Sequence, residues 1–252
     1  MFEGFPREGI DFLARIRANN SVAFYEENRA LYERALKVPL RALCEEVAPI
    51  AQLIDPELDV RPVAVVSRIR RDTRFTKDKS PLRDHVWLSW RYPGERRSEG
   101  FHLFWGFGPD WLAAGCGSYG PDKPLMDALR GQMRRDPALV LEALSPLELG
   151  KRYALFGEDY RRIAVPESIP EALRALYGKK YFGAEARPDP EDWARLGDRR
   201  ILARVTEEME RMAPLIQLMK ALRAAPVPED KKPAAQGESA VIRARPAEEY
   251  EF

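Results

Sequence analysis

Val63-Ala-Val-Val-Ser67-Arg68-Ile-Arg70-Arg71-Asp72-Thr-Arg74-Phe75, running on through Thr-Lys-Asp78-Lys79-Ser-Pro-Leu-Arg-Asp-His85, joins an apolar run to the densest charge in the chain. Pro62 precedes three β-branched valines, Val63, Val65 and Val66, a composition that predicts a β-strand with side chains alternating between faces. One face then carries Val63, Val65, Ser67, Ile69 and Phe75, with Arg71 and Thr73 near its end; the other carries Ala64, Val66, Arg68, Arg70, Asp72 and Arg74. Clustered guanidiniums repel unless an anion sits between them, and their planar forks match carboxylate or phosphate oxygens. Between Arg61 and Arg97 stand 11 Lys and Arg against 4 Asp and Glu, whereas the whole chain balances 41 against 40. The basic character is therefore local, and total charge points to no particular partner.

The segment from Arg68 to Lys79, with Pro81, is expected to form a pocket for an anionic small molecule bearing carboxylate or phosphate. Arg68, Arg71 and Arg74 would bind its oxygens beside Asp78, Lys79 would add a flexible charge, and Asp72 would orient the arginines or act as a catalytic base. His85, next to Asp84, is the better placed of the two histidines for proton transfer. A strand puts Arg71 on the face opposite Arg68 and Arg74, so this grouping requires a bulge or twist. Two other readings stay open: a purely structural network pairing these arginines with Asp72, Asp78 and Asp84, and a non-enzymatic surface for an acidic protein segment or nucleic acid.

Arg68-Ile-Arg-Arg71-Asp72-Thr-Arg74-Phe75 followed by Asp78-Lys79-Ser-Pro81 resembles the R-x-x-R-D-x-R-F and D-K-x-P-Y hallmarks of an uncharacterised family, widespread in bacteria and known in fungi, catalogued as domain of unknown function 2461. Asn19-Asn20, Phe24, Asn28-Arg29, Tyr32, Pro39, Gly115-x-Gly117-x-Tyr119, Lys179 and Pro214-Leu215 agree with it, so the resemblance runs from about Phe2 to about Leu222. Leu82 stands where the family usually has tyrosine, and Ala23 where it usually has tryptophan; a shared chemistry using that tyrosine hydroxyl would be lost or moved here. The resemblance implies a bacterial, single-domain protein of mixed α and β structure and carries no established activity.

At 252 residues and 45% hydrophobic, the chain is long enough to bury one sizeable core. Residues 1–225 are expected as one α+β domain, with N-terminal helices on a largely antiparallel sheet, a kinked C-terminal helix, and a polar, Pro/Ala-rich tail over 226–252. Cys44 and Cys116 read as reduced, core-type residues; with no apolar leader and no stretch of membrane-spanning length, the cytoplasm is the expected compartment.

Along the chain, Ile10, Leu13 and Ile16 mark a helix between Pro6 and the Asn19-Asn20 pair, which tolerates αL geometry; Asn20 or Ser21 caps a second over about Val22 to Lys37, stopping before Pro39. Leu40, Leu43, Val47 and Ile50 mark a third, kinked at Pro49. After the arginine strand come strands at His85 to Tyr92, Phe101 to Phe107 and Trp111 to Gly115, then helices at Leu125 to Met133 and Pro137 to Leu144. Tyr153 to Ile163 reads as one or two strands turning at Gly157, Glu171 to Tyr177 as a helix, Lys179 to Ala184 as extended, and Ile201 to Met219 as a long helix kinked at Pro214. The closing Glu248-Glu-Tyr-Glu-Phe252 is acidic and aromatic, suited to the basic strand of its own or a neighbouring chain.

Gly115-Cys-Gly117-Ser-Tyr-Gly120 fits the letters of a dinucleotide fingerprint, but antiparallel strands and Pro121 to Pro124 give the wrong context, and a glycine turn passing close to its neighbours fits better. His85 and His102 with two distant cysteines offer no zinc spacing, and no serine stands in a nucleophile context. Phe75, Trp87, Trp90 and Tyr92 interleave with basic residues as in single-strand binders, against which near-neutral total charge argues. The sequence names no cofactor, reaction or oligomeric state.

Overall fold

The computed structural model describes residues 1–74, 76–95, 100–186, 189 and 191–224. Phe75 and the expected tail, including the Glu248 to Phe252 docking segment, lie outside the described residues. The architecture is α+β. A five-stranded antiparallel sheet, ordered β1-β2-β3-β5-β4, is built from β1 (Val86–Trp90), β2 (His102–Phe107), β3 (Leu112–Gly117), β4 (Tyr153–Phe156) and β5 (Gly183–Ala186).

Registers such as Leu88 opposite Trp105 opposite Ala114 put Val86, Leu88, Trp90, Leu103, Trp105, Phe107, Ala114, Cys116 and Ala184 on one face. They join the helices in one continuous hydrophobic core. Phe5, just before α1 (Arg7–Ala18), seals it by stacking on Trp105 and meeting Phe107 edge-on. The last helix among the described residues, Arg200–Ala224, packs along β2 and β3 and against α4 (Val38–Ile54), continuing through Pro214.

α1 ends at Asn19, whose φ of −138° is extended and not left-handed. Ser21 accepts a hydrogen bond from the Phe24 amide to cap α2 (Val22–Glu27), as its position predicts. The second predicted helix does not stop before Pro39. α3 (Arg29–Tyr32) passes into a π-helical turn over Glu33–Lys37 and then directly into α4, with Pro39 in its first turn. There the missing proline N–H costs nothing, and the wider π turn carries the chain across.

The predicted arginine strand is the main correction. Pro62 starts a single helical turn, α5 (Pro62–Val65), leaving Val63 exposed at 78%. The chain then runs beside β1 with isolated bridges at Val66–Leu88 and Arg70–Leu82, too sparse to form a strand. α6 (Lys123–Arg135), capped by Asp122, α7 (Pro137–Leu144) and α8 (Glu171–Tyr177) stand where expected. β5 lies later than the extended segment predicted at Lys179 to Ala184, and the short α9 (Asp192–Leu196), which precedes α10 (Arg200–Ala224), was not expected.

The other sheet face departs from simple in-out alternation, since all of β1, β2 and β3 is buried. Its cover includes aromatic rings lying on glycines. A Cβ on Gly115 would meet the Phe104 ring and stand 2.5 Å from the Ala184 carbonyl oxygen; one on Gly183 would strike the Phe156 ring. Gly115 and Gly117 thus sit within β3, in close passage, and form no strand-to-helix phosphate loop.

Candidate functional site

Residues 66–71 and 81–85 form an irregular arm on the outer side of β1. Ser67 N–H donates to the Trp87 carbonyl at 2.9 Å, and its hydroxyl accepts from the Trp87 amide at 3.0 Å. Arg83 N–H donates to the Ile69 carbonyl at 2.8 Å, and Arg71 N–H to the Pro81 carbonyl at 2.9 Å. The N-terminal helices clamp this arm. Asn20 donates to the Leu82 carbonyl and accepts from its amide, both at 2.9 Å, standing in for a strand partner. Arg17 bonds Asp84 at 2.6 Å and forks onto Asp110.

From Val65 onward the predicted alternation of faces holds although the strand does not: Val65, Ser67 and Ile69 are buried, and Arg68, Arg70, Asp72 and Arg74 are exposed. Arg71 goes inward, its side chain 8% exposed and ion-paired with Asp78, whereas Arg74, 75% exposed, forks onto Asp72 at 2.6 and 2.9 Å. Arg68 projects into solvent with no side-chain hydrogen bond among the described residues. The three guanidiniums therefore do not share one pocket. Lys79 donates to the Thr73 carbonyl at 2.8 Å, closing the loop.

Hydrogen bonds from Arg74 hold the Asp72 carboxyl at about 2, and the Ser80 backbone and hydroxyl, with Arg71, hold Asp78 at about 2. Asp84 lies further below the usual carboxylate range, through its bond to His85 and then Arg17.

What the fold does assemble is a stripe of alternate residues, Arg83, His85, Trp87 and Ser89. Arg83 lies over the Trp87 ring at 5.0 Å, and His85 stacks on the same ring at 5.3 Å and meets Trp111 at 5.6 Å. Arg83 donates to the Arg70 carbonyl at 2.9 Å but has no carboxylate within ion-pair distance among the described residues. Burial, and next the neighbouring Arg71 charge, push its pKa down. His85 Nδ1 is 2.9 Å from Asp84 Oδ1, and with Asp84 ionised Nδ1 donates that bond. Arg83 Nε, His85 Nε2 and Ser89 Oγ are buried without a hydrogen-bond partner among the described residues.

Sequence reading missed Arg83 as a site residue, because it is one of 11 basic residues in that stretch and its place over the Trp87 ring shows only in the structure. The available signal was the period-two run Arg83, His85, Trp87, Ser89, which places an oxyanion donor, a proton acceptor and an aromatic floor on one side. Leu82, the departure from the family tyrosine, is a core residue here, and Ala23 is exposed on α2.

A comparison with curated proteins finds no match. The family model described as "Conserved hypothetical protein (DUF2461)" matches residues 8–218, taking in the N-terminal clamp, the arm and the whole sheet. The family carries no established activity. With most of its length matched, the chain belongs to this conserved hypothetical family, domain of unknown function 2461.

Proposed function

We propose that the arm binds an anionic small molecule, bearing carboxylate or phosphate, over Trp87. Arg83 is the principal ligand for its oxygens, Arg71 adds a second positive charge, and His85 Nε2 accepts a hydrogen bond or proton from it. The observation that carries this reading is a half-buried guanidinium with no ion-paired acid among the described residues, stacked on an indole and beside a like charge. Such a group gains most from an incoming oxyanion. The Asp72–Arg74 and Asp78–Arg71 pairs support a second, structural role for the rest of the motif, as braces that shape the loop. Phosphate contacts with nucleic acid fit less well, since Arg70 and Arg74 are already tied to Glu26 and Asp72.

We take residues 1–224 as one folding unit around the single core. Buried, unbridged Cys44 and Cys116 support a reducing, cytoplasmic setting, and the family resemblance supports a bacterial one. Among the described residues no helix is long and apolar enough to cross a membrane.

The test is thermal unfolding of wild type, Arg83→Met and Arg74→Ala against nucleotides, sugar phosphates and dicarboxylates at two salt concentrations. A compound that raises the midpoint of wild type and Arg74→Ala but not of Arg83→Met supports the site and gives its ligand class. An equal shift in all three proteins, or no shift with any compound, refutes it.

A further inference from the structure

A second concavity, of about 550 Å³, lies where the approach to β4 meets α9 and the first half of α10. Among its described lining residues, five cations, Lys151, Arg152, Arg195, Arg200 and Arg204, face two carboxylates, Asp189 and Glu207. Two further acids stand behind the wall and are almost wholly buried, Asp192 at 2% and Glu208 at 1%. They fix the guanidiniums from the inside. Arg204 is held by Asp192 through Nε and by Glu208 through Nη1. Arg152 Nη2 donates to Glu208 at 2.7 Å and to Glu207 at 2.9 Å, and Arg195 Nη1 meets Asp192 at 2.9 Å. The Tyr153 hydroxyl donates to the other Glu208 oxygen, completing the support.

The lining groups are themselves engaged, Asp189 by Arg195, Glu207 by Arg152 and Arg211, Arg195 also by Glu191, and Arg200 by Asp198. Each guanidinium has five N–H donors, and not all of them are used. Arg204 Nη2, Arg152 Nη1, Arg200 Nη1 and the Lys151 ammonium make no hydrogen bond among the described residues. A network serving only to brace the fold would match donors with acceptors, whereas this one, around a hollow, leaves donors unmatched among the described residues.

We infer that this concavity is a binding site for a small, multiply charged oxyanion, phosphate- or carboxylate-bearing. Arg152 and Arg204, set by buried acids, provide the fixed donors, Lys151 provides adaptable charge at the mouth, and Arg200, forked onto Asp198, adds its remaining Nη1 donor. The site shares no residue with the arm and stands independently of the function proposed there.

Isothermal titration of the full chain with sodium pyrophosphate, and separately with citrate, tests the inference. Lys151→Ala combined with Arg200→Ala removes two lining cations without touching the buried Asp192 and Glu208 contacts, so its unfolding midpoint stays at the wild-type value. Saturable one-to-one binding of either ion, at least tenfold weaker in this double variant and unchanged in Arg83→Met, is the expected result; the preferred ion separates phosphate from carboxylate chemistry. No saturable heat with either ion overturns the inference, as does undiminished affinity in the double variant. Loss of binding only in Arg83→Met would assign the ion to the arm and likewise overturn it.

Discussion

Arg83→Met removes a charge while keeping an unbranched stem over Trp87, and its consequences for stability and for binding should diverge. The variant loses the bond to the Arg70 carbonyl at 2.9 Å and a cation 5.0 Å from the Trp87 ring. A hydrogen bond from a charged donor contributes about 1.5–3 kcal/mol, with the low end fitting here because Arg70 is exposed and water can take over its carbonyl. A cation over an aromatic ring at a partly exposed site adds about 0.5–1 kcal/mol. Against this, the substitution relieves the desolvation of a half-buried charge and its repulsion from Arg71, which offsets much of that loss. The two sides nearly cancel, so urea unfolding should place the variant within about 1 kcal/mol of wild type, with an unchanged m-value. Oxyanion affinity, losing a charge-assisted donor worth about 1.5–3 kcal/mol, should fall on the order of 10- to 100-fold in a binding titration. A destabilisation beyond about 3 kcal/mol would show that Arg83 is a structural tie between the two sides of the arm. Unchanged affinity would remove it from the site.

Acid should loosen the arm before the core. Asp72 and Asp78, held at about 2, and Asp84, held lower still, bind protons less readily folded than unfolded, so their contribution is complete above about pH 4 and is lost as pH falls towards 2. Urea midpoints between pH 5 and 2.5 should drop, less steeply in Asp84→Asn; equal slopes would count against Asp84. Gly115→Ala puts a methyl 2.5 Å from the Ala184 carbonyl oxygen and against the Phe104 ring, for an expected cost of about 1–3 kcal/mol; a wild-type unfolding curve would mean that β3 and β5 can separate freely. Glu208→Ala strips a buried partner from Arg152, Arg204 and Tyr153 and should cost about 3 kcal/mol in the same assay. Destabilisation under 1 kcal/mol would show that Asp192 and Glu207 suffice to hold those arginines.

Where one local force dominates, the sequence was readable. Ser21 as a cap, Pro124 and Pro137 in first turns, and the apolar spacing of α1 and α10 each led to the right element. The arm shows both sides of the matter: alternation assigned the facing of Val65 through Arg74, but pairing depends on a partner that composition does not reveal, and β1 offers one bridge, Val66 to Leu88. The π turn was invisible because Pro39 reads as a stop unless the preceding turn is known to widen. Arg83 was hidden among equals, its distinction being its place over the Trp87 ring. Glu208 was hidden in plain view: Ile201, Val205, Glu208, Met212, Leu215 and Met219 form one 4-3-4-3-4 stripe, and the acid within it marked the buried support of the second concavity.

The π turn at Glu33–Lys37 has a consequence for inheritance as well as for shape. Its hydrogen-bonded loop holds one residue more than an α turn, so it behaves as a one-residue insertion that rephases everything beyond it by about 100°. A single rod can therefore face Phe12 of α1 with Phe24 and Tyr32 and, further along, direct Leu40 to Ile54 at α10 and β1. Deleting one codon between Glu33 and Lys37 would restore a regular helix and turn the two halves out of step, burying polar residues on one side of the slip. Length there is fixed more strictly than composition, and a lineage can change the letters of this turn far more easily than their number.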